Sequence, residues 1–182
     1  MASKRAWALL GALGALSLSA CSSDGVDRTS DGTGGSLPTD GHGTYHQVCI
    51  DKINALRATK GLTPYARWTE EESCVDGQST SDEQSGSAHG AFGQCGESSQ
   101  NECLGSGMTG IEGCLDMMWG EKDQSGCSGC DACADGYDPN CPNCSFYGPP
   151  TCGHYVNMSA KYYTEAACGF SALGGWATID FR

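Results

Sequence analysis

The residues of this chain whose types and spacing could do chemistry are a run of six cysteines and a scatter of histidines and glutamates. Cys127, Cys130, Cys133, Cys141, Cys144 and Cys152 include C-x2-C pairs on either side of a C-x7-C interval. In a reducing compartment that run reads as a zinc ribbon or an iron–sulfur site, because clustered thiolates are soft metal ligands. In an exported protein it reads as a disulfide framework. The imidazole and carboxylate candidates are His89 in Ser87-Ala88-His89-Gly90, Glu97 in Gly96-Glu97-Ser98, Glu121 closing Trp119-Gly120-Glu121, and His154 in Gly153-His154-Tyr155. Such side chains serve acid–base and metal chemistry, although their spacing alone reads equally well as surface or polar-network residues. H-E-x-x-H, G-x-S-x-G and the Walker loop are absent, which removes three common enzyme signatures.

Charge and cysteine content place the chain. Acidic residues outnumber basic ones 22 to 10 in 182 residues, a formal charge of −12. Nucleic-acid binding rests on Lys and Arg displacing counterions from phosphate, so no nucleic acid is expected as a partner. Thirteen cysteines point to an oxidising compartment. Lys4 and Arg5 precede 15 uncharged residues, Ala6 to Ala20. This run is shorter than the roughly 20 residues of a bilayer span, so residues 1–20 read as a signal peptide. Its removal takes two positive charges and no acid, leaving −14. Leu18-Ser19-Ala20-Cys21 resembles the bacterial lipobox, and by that resemblance Cys21 is the lipidated first residue of the mature chain. Twelve cysteines then remain, enough for six bridges. Residues 22–43 are mostly Ser, Gly, Asp and Thr, a composition that cannot bury enough apolar surface to order itself and reads as a flexible tether. Lipid and tether imply a protein anchored in the cell envelope, at the outer membrane or cell surface.

Elements must position the candidates. Thr44-Tyr45-His46-Gln47 fits a capping box, Cys49, Ile53 and Leu56 share a helical face, and Gly61 is a stop, so a helix is expected from Tyr45 to Lys60. A second capping box, Thr69 to Glu72, opens a weak helix interrupted by Gly77. Ile111, Cys114, Leu115 and Met118 mark a third helix running to about Glu121. Strands are expected near Phe92, at Tyr155–Met158, and over Trp176–Phe181, where apolar and polar residues alternate. The segment 123–151 reads as a Cys-rich insertion. Helices mixed with antiparallel strands make an α+β domain.

The order of these features resembles the CAP superfamily of cysteine-rich secretory proteins, antigen 5 and pathogenesis-related proteins, also called the SCP domain. The features are a helix with Asn54 and Arg57, then Gly61, Leu62 and Trp68, His89, Gly96-Glu97, a helix ending in Glu121, Gly153-His154-Tyr155, and Cys168-Gly169. The resemblance implies a disulfide-rich α-β-α sandwich with a small antiparallel sheet over residues 44–182. It also implies an open cleft where His89, Glu97, Glu121 and His154 converge. Ser98, Met118, Asn157 and the Ser159-Ala160 pair depart from the family pattern. In such a cleft His89 and His154, with Glu97 or Glu121, would hold Zn²⁺ or another divalent metal and leave a position for water. Either glutamate is then the candidate catalytic general base. The family resemblance implies a binding protein more than an enzyme, its ligand a small apolar, lipid-like or sterol-like molecule. The alternatives are a metal-assisted hydrolase of peptide or cell-wall bonds, and a structural or adhesive module with the tetrad as a polar core.

Overall fold

The computed structural model of the chain describes residues 43–124, 127 and 152–182. The expected signal peptide, the lipidation site at Cys21, the tether apart from Gly43, and nearly all of the insertion lie outside the described residues. Helix α1, Gly43–Ala58, buries His46, Cys49, Ile50, Ile53 and Arg57 along one stripe, the periodicity that Cys49 and Ile53 announce. Gln47 does not close the expected capping box, because its amide donates to Asp51 (2.8 Å) and accepts from Arg67 (2.9 Å). Helix α2, Glu72–Ser85, runs unbroken through Gly77 and ends at Gly86 in the left-handed conformation (φ 66°). The second expected capping box is also absent: Glu71 occupies the N-cap without a side-chain bond, and Glu72 is held by Arg67 instead. Helix α3, Gly107–Gly120, passes into a 3-10 turn at Glu121–Asp123. A short helix α4 covers Gly153–Ser159.

Four strands, β1 (Ala66–Arg67), β2 (Ser99–Leu104), β3 (Glu165–Phe170) and β4 (Trp176–Phe181), form one sheet in the order β1-β3-β4-β2. β4 pairs antiparallel with both β3 and β2, but β1 runs parallel to β3, so the sheet is mixed rather than antiparallel as expected. Of the expected strands only Trp176–Phe181 exists. Phe92 lies in a series of turns, and Tyr155–Met158 belongs to α4.

The sheet separates two packed layers. Ala166, Cys168, Phe170, Ala177, Ile179 and Phe181 join residues of α1, α3 and α4 in the main core, whereas Ala167 packs with Trp68, Val75 and Cys95 on the α2 side. α2 lies so close to β3 that a Cβ on Gly169 would run into the backbone of Val75 and Asp76. Gly169→Ala is therefore expected to cost at least the roughly 1–3 kcal/mol of an overpacked core, read as a lower melting temperature; an unchanged one would contradict this packing. His46 ties α1 to α2, with Nε2 3.0 Å from Asp76 Oδ1, Nδ1 3.3 Å from Glu72 Oε2, and its ring stacked on Phe170. Burial alone would disfavour its charge, but bonds to the two carboxylates outweigh that and raise its pKa to about 9.

Four disulfides staple the layers: Cys49–Cys168, Cys74–Cys95, Cys103–Cys114 and Cys127–Cys152. The last joins the flanks of the expected insertion and assigns Cys127 and Cys152 to a bridge rather than a zinc ribbon. Cys130, Cys133, Cys141 and Cys144 lie outside the described residues. Such bridges fit an oxidising environment. Among the described residues no helix is long and apolar enough to cross a membrane.

Candidate functional site

Strand β2 is an edge of the sheet, and its alternation sends successive polar side chains to opposite faces. Gln100 and Glu102 meet α2 and the turn after it, while Asn101 meets α4. The two histidines stand on these two sides. His89 is the one non-glycine with positive φ (59°) among the described residues. Its backbone N–H donates to Glu102 Oε2 (2.9 Å), and its Nδ1 lies 2.9 Å from Gln100 Oε1. The tautomer follows from a chain of amides. Gln78 Nε2 donates to the Ala91 carbonyl (3.0 Å) and to Glu97 (2.6 Å), which turns Gln78 Oε1 toward Gln100 Nε2 (3.2 Å). Gln100 Oε1 is thereby left to accept, so His89 Nδ1 is the donor and, in the neutral ring, Nε2 holds the lone pair.

On the other side, Glu121 Oε2 accepts the His154 and Tyr155 backbone N–H groups, each at 3.1 Å, and so caps the positive end of α4. Its Oε1 lies 2.6 Å from His154 Nδ1. With Nδ1–H donating to that carboxylate, Nε2 is the ring nitrogen turned away from Glu121, on a side chain that is 38% exposed. Asn101 Nδ2 donates to the His154 carbonyl (3.1 Å), and Asn157 donates to Asn101 Oδ1 (2.8 Å), so α4 is tied to β2 directly beneath the histidine. Trp119 packs edge-on against Tyr155 at 5.0 Å and holds the same corner.

Of the four expected residues, then, Glu121 and His154 are brought into contact, whereas His89 is held on the other side of β2, and among the described residues neither histidine belongs to a group of three metal-type ligands. Glu97 is 8% exposed. Its oxygens accept from Gly93 N–H, Cys95 N–H (2.9 Å) and Gln78, so it organises the turn below His89. Among the described residues, metal-type ligand atoms cluster within 4.8 Å in two groups, Glu71–Cys74–Cys95 and Cys95–Glu97–Asp180. Both groups depend on Cys95, whose sulfur is bonded to Cys74. Oxidised sulfur offers no thiolate, so neither group is a metal centre while that bridge stands.

The sequence reading passes over the polar layer between α2 and the sheet. Asp82, Glu102 and Asp180 are all buried there, with Gln78, Gln100 and Thr178 around them. Among the described residues no Lys or Arg pairs with any of the three acids. Burial, then a hydrogen bond with Asp82, raises the pKa of Glu102 to about 7. Asp82's own oxygens meet no N–H or O–H donor among the described residues. Burial, followed by the nearby charge of Glu97, raises Asp180 to about 8. Alternation of Thr178 and Asp180 with apolar neighbours would suit a water-facing strand side, which hides this cluster from a sequence reading.

Gly105-Ser106-Gly107-Met108-Thr109-Gly110 also has G-x-G-x-x-G spacing, between β2 and α3. It lacks a following parallel strand, and a Cβ at Gly107 would strike the Gly174 carbonyl. Its backbone therefore packs on the β3–β4 turn rather than cradling a phosphate. Compared with known proteins, the chain matches no family model and no curated sequence.

Proposed function

We propose that this chain is an exported binding protein of the CAP type, anchored at the cell envelope through lipid on Cys21. Its cleft, bordered by His89 and His154, takes a divalent metal ion together with a small apolar or lipid-like ligand. The observation that carries this reading is the shared tautomer: both imidazoles are anchored through Nδ1, by Gln100 and by Glu121, and both keep Nε2 for a ligand. Metal-binding histidines are oriented in this way by a second-shell acceptor on the other ring nitrogen. Neutral imidazoles suit Zn²⁺ and similar divalent ions, which would supply a Lewis-acid contact for a ligand's polar head. The hydrolase reading has less support. Glu97 and Glu121 spend their oxygens on protein N–H donors, whereas a general base needs a free lone pair facing water.

Zinc loading followed by dialysis and elemental analysis should leave about one ion per chain, absent from His89→Ala and His154→Ala. Glu121→Gln should weaken affinity about 10- to 100-fold by loosening the His154 ring. A metal-free wild type would remove the ion from the reading, and lipid binding unchanged in both histidine variants would remove the cleft. Cys21→Ala should release the protein from membranes; continued sedimentation with them would contradict the anchor.

A further inference from the structure

Among the described residues, Cys74 is the one cysteine that is not buried. Its partner Cys95 is 6% exposed, and the cysteines of the other three bridges are 5% exposed at most. Cys74–Cys95 is therefore the bridge that a reductant in water reaches most readily. Bonds other than the bridge hold its two ends. Cys74 lies in the first turn of α2, a helix packed closely on β3. The Cys95 N–H donates to Glu97 (2.9 Å), and Gln78 of α2 donates to Glu97 (2.6 Å) and to the Ala91 carbonyl (3.0 Å). Opening the bridge thus leaves two thiols side by side on a fixed frame.

A carboxyl oxygen of Glu71 lies within 4.8 Å of both sulfurs. In a tetrahedral zinc site with Zn–S of about 2.3 Å, ligand atoms stand about 3.5 to 4 Å apart, so small movements bring these three atoms to ligand spacing. Glu71 occupies the N-cap of α2 without a side-chain bond, which leaves its carboxylate to turn toward an ion. The Cys95 sulfur also lies within 4.8 Å of oxygens of Glu97 and Asp180, and Asp180, fully buried, has in Oδ2 an atom without a partner among the described residues. Thiolates formed beside Glu71 and Glu97 repel these charges unless a cation comes between. The geometry points to a redox-gated site for Zn²⁺ or another thiophilic divalent ion, held by Cys74, Cys95 and Glu71 with a fourth place left to water. A dithiol opens it: one of its thiolates attacks a sulfur of the bridge, its second thiol resolves the mixed disulfide, and it departs as a disulfide, having passed two electrons and two protons to the protein. The ion then displaces the two thiol protons into water. This site shares no ligand with the histidine cleft and stands independently of it.

Zinc uptake by the full chain carrying His89→Ala and His154→Ala tests the site with the cleft silenced. The oxidised protein should retain no zinc after dialysis. After graded reduction with dithiothreitol and its removal under argon, the protein should retain about one ion per chain, and alkylation should mark Cys74 and Cys95 before any other described cysteine. Zinc should raise the melting temperature of the reduced protein and leave that of the oxidised protein unchanged. Adding Cys74→Ser/Cys95→Ser should abolish uptake, and adding Glu71→Gln should weaken it about tenfold or more. No uptake on reduction, equal uptake by the serine variant, unaltered affinity in Glu71→Gln, or earlier alkylation of another described bridge would each overturn the assignment.

Discussion

Asp180→Asn should make the protein more stable at pH 9 by about 5 °C or more in melting temperature, and change it little at pH 5. The wild type should itself lose stability steadily between those limits. Asp180 is fully buried, one of its oxygens has no partner, and its pKa is raised from 3.8 to about 8. Glu102 is raised from 4.5 to about 7, and His46 from 6.5 to about 9. A group that binds its proton more tightly when folded contributes stability below its unfolded pKa and loses it as pH rises through the folded value. For the two carboxyls that window opens near pH 4 and closes near pH 7 to 8; for His46 it runs from about 6.5 to 9. All three act in the same direction. Each tenfold difference in proton affinity between folded and unfolded states is worth about 1.4 kcal/mol, so the loss is large beside a domain stability on the order of 10 kcal/mol. Glu72 acts oppositely, since its pKa is lowered despite its burial by His46 and Arg67, but its window lies below pH 4.5. Asparagine at position 180 keeps the acceptor for Gln100 and adds an N–H beside Glu97. Thermal unfolding of both proteins from pH 5 to 9 decides the matter, and parallel curves would refute the assignment of the titration to Asp180.

Cys49→Ala/Cys168→Ala is the other large effect. This bridge joins α1 to the centre of the sheet across a separation of 119 residues, whereas Cys103–Cys114 spans 11. In the chain-entropy account, closing a loop of about 100 residues stabilises the fold by roughly 4 to 5 kcal/mol, and one of about 15 residues by roughly 3. Both sulfurs of the long bridge are also fully buried in the main core, so the double variant leaves a void as well. The expected outcome is loss of most of the domain's stability, with a broad or absent thermal transition. Cys103→Ala/Cys114→Ala should retain a cooperative transition at lower temperature. Equal losses in the two variants would show that local packing, rather than loop length, governs the contribution of these bridges.

The helices α1 and α3 were legible because each buries one regular stripe, which shows as a period in the sequence, and β4 because one of its two buried faces is apolar (Ala177, Ile179, Phe181) and the other polar (Thr178, Asp180), so alternation survives. β3 was missed because Ala166, Ala167 and Cys168 are buried on both faces, which erases alternation. β2 was missed for the opposite reason: Ser99, Gln100, Asn101 and Glu102 are all buried although all polar, Gln100 meeting a side chain of α2 and Asn101 one of α4. Gly153-His154-Tyr155-Val156 carries aromatic and β-branched residues that suit a strand, and seven residues are too few to display a helical period. Glu121 at one end, with Arg57 and Tyr65 at the other, caps it as a helix. These contacts reach across 33 to 103 positions.

By itself, the sequence determined the composition of the problem: an acidic chain, rich in cysteine, with two histidines and two glutamates in settings that attract chemistry. Only the tertiary structure decided what those groups are. Tautomer and pKa depend on which donor or charge lies within a few ångströms and on how much water is excluded. Thus Gln78 and Gln100, 22 residues apart in the chain, orient the His89 ring, and Asp180, whose alternating setting suits a water-facing acid, becomes a buried carboxyl that keeps its proton at neutral pH.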